Sequence, residues 1–219
     1  MSSVVIAGDT SGSCTLSAPA VSGSSVLTLP VATDTLVGKA TTDTLTNKTL
    51  GSGLVAGASL LTSGTAQAST SGTAIDFTGI PSWAKRITVM FNGVSTNGAS
   101  FPQVQIGTSG GIQTSGYTGT STGIGNASGV SANLSAGFVL SASGSWTAAS
   151  SLNGKIDLVL LDASTGIWAC SGVVGYTGGT ICILIGGVKT LSGTLDRIRL
   201  TTVNGTDTFD AGSINIMYE

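Results

Sequence analysis

The sequence contains no histidine, and this absence excludes the most common catalytic constellations. Ser-His-Asp and Cys-His nucleophile systems need an imidazole as their base, and the usual zinc sites have histidine among their ligands. No EF-hand spacing and no GxxxxGK[ST] phosphate loop is present either. We therefore expect a protein that is not an enzyme and that binds neither a metal nor a cofactor.

Charged side chains are also scarce. Eight Lys and Arg residues and ten Asp and Glu residues give a net charge of −2, and charged residues make up 8% of the chain, against roughly 25% in ordinary globular proteins. No basic run exists, so nucleic acid is not an expected partner. Because the mean hydropathy is +0.42, we expect the chain to cover much of its surface with copies of itself.

Long hydrophobic runs are missing as well. The longest one, Ile181 to Ile185, is followed by two glycines and is far shorter than the ~20 residues of a membrane-spanning helix. It predicts a buried strand, and we expect no membrane insertion. The N-terminal stretch MSSVVIAGDTSGS has neither the basic nor the apolar region of a secretory signal, which indicates synthesis in a cytoplasm.

The residues that are abundant favour strands and turns. The 219 residues include 33 glycines, and threonine, valine and isoleucine fit a pleated surface, whereas glycine supplies the positive φ angles of tight turns. Strong helix formers such as Glu, Lys and Arg are few. The composition therefore predicts an all-β protein.

Residues 1–50 contain short alternating pieces and a repeated tetrapeptide, TDTL, at positions 33–36 and 42–45. The isolated leucines Leu36, Leu45 and Leu50 stand between polar threonines, and a segment this sparse cannot bury a core of its own. Three copies wound about one axis would let each leucine meet its symmetry mates. We predict a trimeric fibre or attachment segment at 1–50, with a linker or shaft end at 51–72.

From residue 73 onwards the strands are longer, and all Trp, Tyr and Phe residues lie there. Nine strands in this region predict a β-sandwich head at 73–219, similar to a jelly roll. The stretch from Thr108 to Asn133, rich in Gly, Ser and Thr, is expected to form long surface loops with at most a short hairpin. The nine predicted strands are Ala74 to Phe77, Arg86 to Val94, Gln103 to Gly107, Ala136 to Ala142, Lys155 to Asp162, Gly166 to Tyr176, Thr180 to Gly186, Thr194 to Val203 and Ser213 to Tyr218.

The three cysteines, Cys14, Cys170 and Cys182, each stand in a strand-like stretch. Their odd number and their apolar neighbours favour buried free thiols. A bridge between Cys170 and Cys182 is the alternative that the spacing leaves open.

Paired carboxylates are the remaining candidates for chemistry. Asp157 with Asp162, or Asp207 with Asp210, would be the acid and base of a glycosidase. The first pair bounds an apolar strand and lies five residues apart, so solvation of the two strand ends is the simpler interpretation. Asn204 with the second pair offers oxygen ligands for calcium, but a solvated hairpin turn is the favoured interpretation, because the cluster lacks the EF-hand spacing and its closing Glu.

Sugar binding is the better supported chemistry, because it uses aromatic faces for the ring together with amides and hydroxyls for the OH groups. Aromatic and amide side chains in or beside Gly/Ser/Thr-rich stretches are the candidates. Trp146 is the strongest of them, with packing at the sandwich edge or between protomers as its alternative role. Trp83 and Trp168 are predicted to lie in the core. The candidate glycan contacts are Tyr117, Trp146, Tyr176, Asn97, Asn126 and Asn133.

Several phrases of the sequence resemble bacteriophage tail fibres. TTDTLTNKTL, after GDTSGSCTLSAPAVSGSSVLTLPVATDTLVG, is similar to their shafts, and IDFTGIPSWAKRITVMFNGVSTNG, GGIQTSGY and FDAGSINIMYE are similar to their tips. The resemblance covers about half the chain. It implies a homotrimeric protein of the virion tail, attached to the tail or baseplate by its N-terminal region and presenting its C-terminal head to a host surface polysaccharide. A polysaccharide depolymerase and a capsid-attached fibre or decoration protein without a receptor role are the alternatives.

Overall fold

The computed structural model describes residues 3–7, 10–17, 61–124, 131–140, 146–177 and 181–219. The chain divides into two units, Met1–Val55 and Ala56–Glu219. Every regular element in the described ranges is a β-strand, which confirms the all-β prediction. None of these ranges holds a helix long and apolar enough to span a bilayer.

In the described residues of the first unit, β1 (Ser3–Ala7) and β2 (Ser13–Ser17) form an antiparallel hairpin. The register pairs residues 3 and 17 at the open end and residues 7 and 13 at the turn. The predicted shaft leucines Leu36, Leu45 and Leu50 lie outside the described residues, so the trimeric segment stays a prediction.

The second unit contains two antiparallel sheets. The larger has nine strands in the order β10-β9-β14-β13-β12-β6-β16-β3, with β4 also paired to β16. Three long strands that follow each other along the chain, β12 to β14, form a meander at its centre. The nine strands are β3 (Thr62–Ser63), β4 (Gln67–Ala68), β6 (Arg86–Thr96), β9 (Tyr117–Ile124), β10 (Ser131–Asn133), β12 (Ser151–Asp162), β13 (Ile167–Thr177), β14 (Ile181–Thr190) and β16 (Phe209–Tyr218).

The smaller sheet has five strands, in the order β11-β7-β15-β5 with β8 paired to β7. These strands are β5 (Ala74–Phe77), β7 (Pro102–Thr108), β8 (Gly111–Ile112), β11 (Phe138–Val139) and β15 (Arg197–Thr202). Its hydrophobic residues and those of the larger sheet belong to one buried cluster. Two sheets that share one core make a sandwich, in which alternate residues of each strand point inward.

Strand directions define the two ends of the sandwich. We call the end where β6 begins, at Arg86, and β16 finishes, at Tyr218, the cavity end. The opposite end, where β6 finishes at Thr96 and β16 begins at Phe209, is the loop end. Because β3 pairs with the last residues of β16, the chain enters the sandwich at the cavity end.

Two predictions about the organisation of the chain differ from the structure. Residues 62–68 form β3 and β4 of the large sheet, whereas they were expected in a linker or shaft end at 51–72. The expected loops from Thr108 to Asn133 contain β9, whose eight residues pair with β14 along their full length. Its inward positions hold small residues such as Ser121, which is fully buried, so no apolar alternation marks this strand in the sequence.

The cysteine prediction is partly wrong. Cys170 and Cys182 are both free, and Cys170 is buried but Cys182 is exposed. Cys170 pairs with Gly187 on β14, five residues from Cys182, which is about 17 Å along a strand. A disulfide needs Cα atoms within about 7 Å, so this register excludes the bridge. The side chain of Cys14 lies outside the described part of the structure.

Candidate functional site

Trp146 and Tyr176, two predicted glycan contacts, lie together in the core at the loop end. Their ring centroids are 5.8 Å apart, and only 2% and 6% of their surfaces are exposed. The indole Nε1 of Trp146 donates a hydrogen bond of 2.9 Å to Oγ1 of Thr96. Both rings therefore fill the sandwich instead of offering a face to a sugar, and the prediction of an exposed Trp146 is wrong.

Tyr117, the third predicted aromatic contact, is buried at the start of β9, near the cavity end. Its hydroxyl accepts a hydrogen bond from the backbone N–H of Ile106 (2.8 Å) and donates one to the carbonyl of Gln113 (2.9 Å). The ring meets Phe138 edge to face at 4.9 Å. Burial, only partly offset by the hydrogen bond from Ile106, raises the pKa of Tyr117 to about 12. Tyr117 therefore links β9 of the larger sheet to β7 of the smaller sheet, and its ring is not accessible to a sugar.

The predicted asparagines do not form one cluster. Asn97 is exposed at the loop end, and its side-chain oxygen accepts a hydrogen bond of 2.9 Å from the backbone N–H of Thr208. Asn133 is exposed on β10, where it pairs with Thr120 of β9. Asn126 lies outside the described residues. Of the six predicted contacts, the structure brings Trp146, Tyr176 and Asn97 to the loop end.

Asp157 and Asp162 stand at separate places on β12. Five residues correspond to about 17 Å of strand, whereas the two carboxyl groups of a glycosidase lie about 5 to 9.5 Å apart. Asp157 accepts hydrogen bonds from Lys155 Nζ and from Thr88 Oγ1, and Asp162 accepts two from Ser164. The two carboxyl groups are therefore too far apart to act as the acid and base of a glycosidase.

The pKa values of these two carboxyl groups also argue against a glycosidase. Burial raises the pKa of Asp157, but the hydrogen bonds from Lys155 and Thr88 and the positive charges of Lys155 and Arg86 together outweigh it, so the pKa lies below its ordinary value. Hydrogen bonds from Ser164 lower the pKa of Asp162. A glycosidase acid needs a raised pKa in order to carry a proton near neutrality, which neither aspartate has.

The cluster around Asn204 and Asp207 is a hydrogen-bonded turn at the loop end. Asn204 Oδ1 accepts from the backbone N–H of Thr206, and Asn204 Nδ2 donates to Asp207 Oδ1 at 2.7 Å. Asp207 Oδ2 accepts from the backbone N–H of Ser100 at 2.8 Å, while Asp210 is exposed on β16. Across the ranges covered by the structure, no three Asp, Glu, Cys or His side chains converge as metal ligands.

A cavity of about 310 Å³ opens at the cavity end, between the loop before β6, the β12–β13 turn and the β14–β15 loop. Its polar lining consists mainly of hydroxyl groups and one ammonium group. Its apolar lining includes the indole of Trp168, which is 3% exposed and confirmed as a core residue. The polar residues are Ser82, Lys85, Ser164, Thr165, Ser192 and Thr194, and the larger apolar ones are Leu160, Trp168, Leu191 and Leu195.

Backbone hydrogen bonds hold the walls of this cavity. The backbone N–H of Lys85 donates to the carbonyl of Glu219 (2.7 Å), and the carbonyl of Lys85 accepts from Leu160 of β12 (2.8 Å). The N–H of Leu191 donates to the carbonyl of Gly166 (3.0 Å), which joins the other two loops. The cavity is therefore formed by anchored chain segments.

Trp83 stands between two residues that line the cavity, Ser82 and Ala84. Its side chain is 52% exposed, and its ring leans on Tyr218 with the centroids 5.5 Å apart. The prediction that Trp83 lies in the core is wrong, because the loop PSWAK holds it outside the strands. Its flanking Ser82 and Lys85 and the preceding proline are the sequence signals that indicate an exposed turn.

The cavity and the residue beside it thus combine the exposed indole of Trp83, a group of hydroxyls and the ammonium group of Lys85. Sugars are bound in proteins by this combination of an aromatic face with polar groups around it. The volume falls at the lower end of the about 300 to 1,000 Å³ that is usual for ligand pockets. We therefore take Trp83, Lys85 and the hydroxyls of the lining as the candidate site.

No family model, curated protein or solved structure matches this chain. Function is therefore inferred from the residues and their geometry.

Proposed function

We propose that the chain is a non-enzymatic structural protein of a bacteriophage virion, a homotrimeric tail fibre that recognises a host cell-surface glycan with its sandwich head. Its N-terminal region would attach to the tail or baseplate. The observation that carries the receptor role is the half-exposed indole of Trp83 beside a cavity lined with hydroxyls. The resemblance of the sequence phrases to tail fibres supports the virion assignment.

Each part of the candidate site has a task in this proposal. The exposed face of Trp83 covers the apolar side of a sugar ring, and Tyr218 supports the indole from behind. The hydroxyls of Ser164, Thr165 and Ser192 both donate and accept hydrogen bonds, which suits the OH groups of a sugar. Lys85 adds a positive charge, so we expect acidic sugar units to bind better than neutral ones.

Binding of the labelled full-length protein to intact host cells, and to their purified surface polysaccharide, tests the proposal. Trp83→Ala should weaken binding about tenfold or more, which corresponds to about 1.4 kcal/mol, and Trp83→Phe should retain most of it because a ring remains. Val203→Ala serves as the control, since Val203 is equally exposed at 51% but lies at the loop end. Unchanged binding by Trp83→Ala would remove the cavity end as the receptor site.

One observation favours a purely structural role as the second candidate. The chain enters the sandwich at the cavity end, where β3 pairs with Tyr218, and neighbouring proteins in a particle would cover such an end. A capsid-attached fibre or decoration protein would then bind no host cells, and its Trp83 fluorescence would be shielded from a soluble quencher in the virion. Shortened polysaccharide after incubation would instead indicate a depolymerase.

A further inference from the structure

The outer face of the large sheet carries an apolar surface. The strand registers place Ile124 of β9, Leu184 and Val188 of β14, Val173 of β13 and Val159 of β12 on the side that faces away from the core. These five side chains are between 37% and 58% exposed. Val173 pairs directly with Leu184, and Val188 and Val159 flank Ala169 of β13 from its two sides. We call the five residues the outer apolar face.

This surface departs from the usual pattern of an antiparallel sheet with one solvated side. Such strands alternate between inward apolar and outward polar residues. In β14, however, Ile183 and Ile185 point into the core while Leu184 between them points outward. Apolar residues on both sides of a central strand indicate that both sides are covered.

Charge is also missing from the outward side of three of the four strands that carry the outer apolar face. The outward positions of β9, β13 and β14 hold Thr, Ser, Gly, Ala, Cys and aliphatic residues, and none of them is Asp, Glu, Lys or Arg. The nearest charges adjoin the apolar residues directly: Lys155 lies opposite Val173 and Arg86 opposite Val159 in the register. Both cations form ion pairs with Asp157. A surface that is exposed to water normally carries interspersed charges, which these strands lack. The charges that are present neutralise each other, so they would not repel the same surface of another copy.

The extent of this side of the sheet fits a stable assembly. Six strands spaced about 4.8 Å apart, each crossing it for about 20 Å, cover roughly 600 Å² before the relief of the side chains is counted. Standard stable interfaces bury about 600 to 1,000 Å² on each partner, so this area reaches the lower end of that range. The sheet from β9 to β16 is therefore large enough to hold subunits together.

We propose that the outer apolar face is where identical copies of this chain meet in the sandwich region. Around a threefold axis, the same face of each copy contacts both neighbours, so one apolar face per chain suffices. A face whose few charges form ion pairs within one chain suits a second copy better than a strongly charged partner. The inference rests on the proposed homotrimer and deepens it by naming the contact surface.

Cys182 provides a local probe of this contact in the full-length protein. Its thiol is exposed in the single chain, and it lies opposite Ile124 in the register. Covering the outer apolar face should slow its alkylation, because a thiolate reacts only when the reagent reaches it. Alkylation is followed by mass spectrometry of the Cys182 peptide, and light scattering gives the oligomeric state of the same sample.

Val173→Glu tests the face, and Val203→Glu is the matched control, because both valines are 51% exposed and the second lies at the loop end. We expect a trimer of the 21.4 kDa chain in which Cys182 reacts at least about tenfold more slowly than in Val173→Glu. Val203→Glu should behave like the unaltered chain. Circular dichroism and thermal melting establish that both variants fold.

The outcomes separate the two proposals. A trimer whose Cys182 reacts as fast in the unaltered chain as in folded Val173→Glu would overturn the outer apolar face but leave the homotrimer standing. An equal gain of reactivity in Val203→Glu would also overturn the assignment to this face. A monomeric unaltered chain would overturn the homotrimer and its contact surface together.

Discussion

Replacing Trp146 by alanine should destabilise the sandwich far more than the same change at Trp83. Trp146 is 2% exposed, whereas Trp83 is 52% exposed. Removing a buried tryptophan costs about 3 to 5 kcal/mol through lost burial and the cavity left behind. Trp83→Ala loses mainly its ring contact with Tyr218, and an aromatic pair contributes about 0.5 to 1.5 kcal/mol.

The hydrogen bond between Trp146 and Thr96 accounts for a separable part of this loss. Thr96 is fully buried, so Trp146→Phe leaves its hydroxyl without its indole donor, at a cost of about 1 to 3 kcal/mol. Thr96→Val leaves the indole N–H without its acceptor. The double variant removes both partners and should be less destabilised than the sum of the two single variants, by about 0.5 to 1.5 kcal/mol.

Urea denaturation followed by circular dichroism, with all variants at one protein concentration, measures these differences. For a domain of this size, about 3 to 5 kcal/mol corresponds to a fall in the melting temperature of roughly 6 to 20 °C. A Trp146→Ala variant that unfolds at the same urea concentration as Trp83→Ala would refute the burial of Trp146. Purely additive effects at Trp146 and Thr96 would refute the hydrogen bond.

Three further predictions concern pH, backbone packing and thiol chemistry. Burial raises the pKa of Asp157, but hydrogen bonds and the nearby positive charges of Lys155 and Arg86 outweigh it and lower the pKa below its ordinary 3.8. As the pH falls, the unfolded state therefore binds a proton before the folded state does, and the free energy of unfolding should decrease through and below this value. Acid titrations of stability should show a smaller decrease in Asp157→Asn, and an equal decrease in both proteins would contradict the prediction. Gly119→Ala should cost about 1 to 3 kcal/mol, since its φ is +137° and the new Cβ would lie 2.3 Å from the carbonyl oxygen of Gly186. Gly110→Ala is the control and should match the unaltered chain in urea melts, because its Cβ would make only an ordinary contact of 3.5 Å with Thr108 Oγ1 in the exposed turn between β7 and β8. Burial, followed by the charge of Asp157, raises the pKa of the Cys170 thiol, so iodoacetamide should leave Cys170 unmodified in the native protein and modify it in urea; modification in both states would show that it is not buried.

Strands with an apolar alternation are the part of the fold that the sequence predicts well. β5 matches its expected range, and β12, β13 and β16 contain most or all of theirs, because their inward positions hold large aliphatic or aromatic residues. β9 has no such signal, because after Tyr117 its inward positions hold only glycines and Ser121. Its threonines favour a strand, but threonine also occurs throughout the stretches that were expected to be loops.

The candidate site is harder to predict, because exposure depends on where a turn directs a side chain. Trp146 follows SASGS and looks like a loop residue, yet it reaches back to Thr96 and Tyr176 in the core. Trp83 follows a proline in a short loop, and its ring stays outside. A Gly/Ser-rich stretch before a tryptophan therefore does not predict exposure, whereas the proline and lysine around Trp83 do indicate an exposed turn. The hydroxyls of the cavity come from three loops that are distant in sequence, so only the fold brings them together.

The two proposals support each other through avidity. The outer apolar face covers one side of the large sheet, whereas the cavity opens between loops at one end of the sandwich, so contact between copies leaves the candidate site open. A half-exposed indole and a few hydroxyls bind one sugar unit weakly, because water competes for every hydrogen bond. Three such sites on one rigid trimer, facing a repetitive polysaccharide, gain about 10² to 10⁴ in apparent affinity without any new contact.

A folded Val173→Glu monomer should therefore keep the affinity of a single site for a short oligosaccharide and lose its attachment to whole cells. Loss of both would place the glycan site between the copies instead of within one chain.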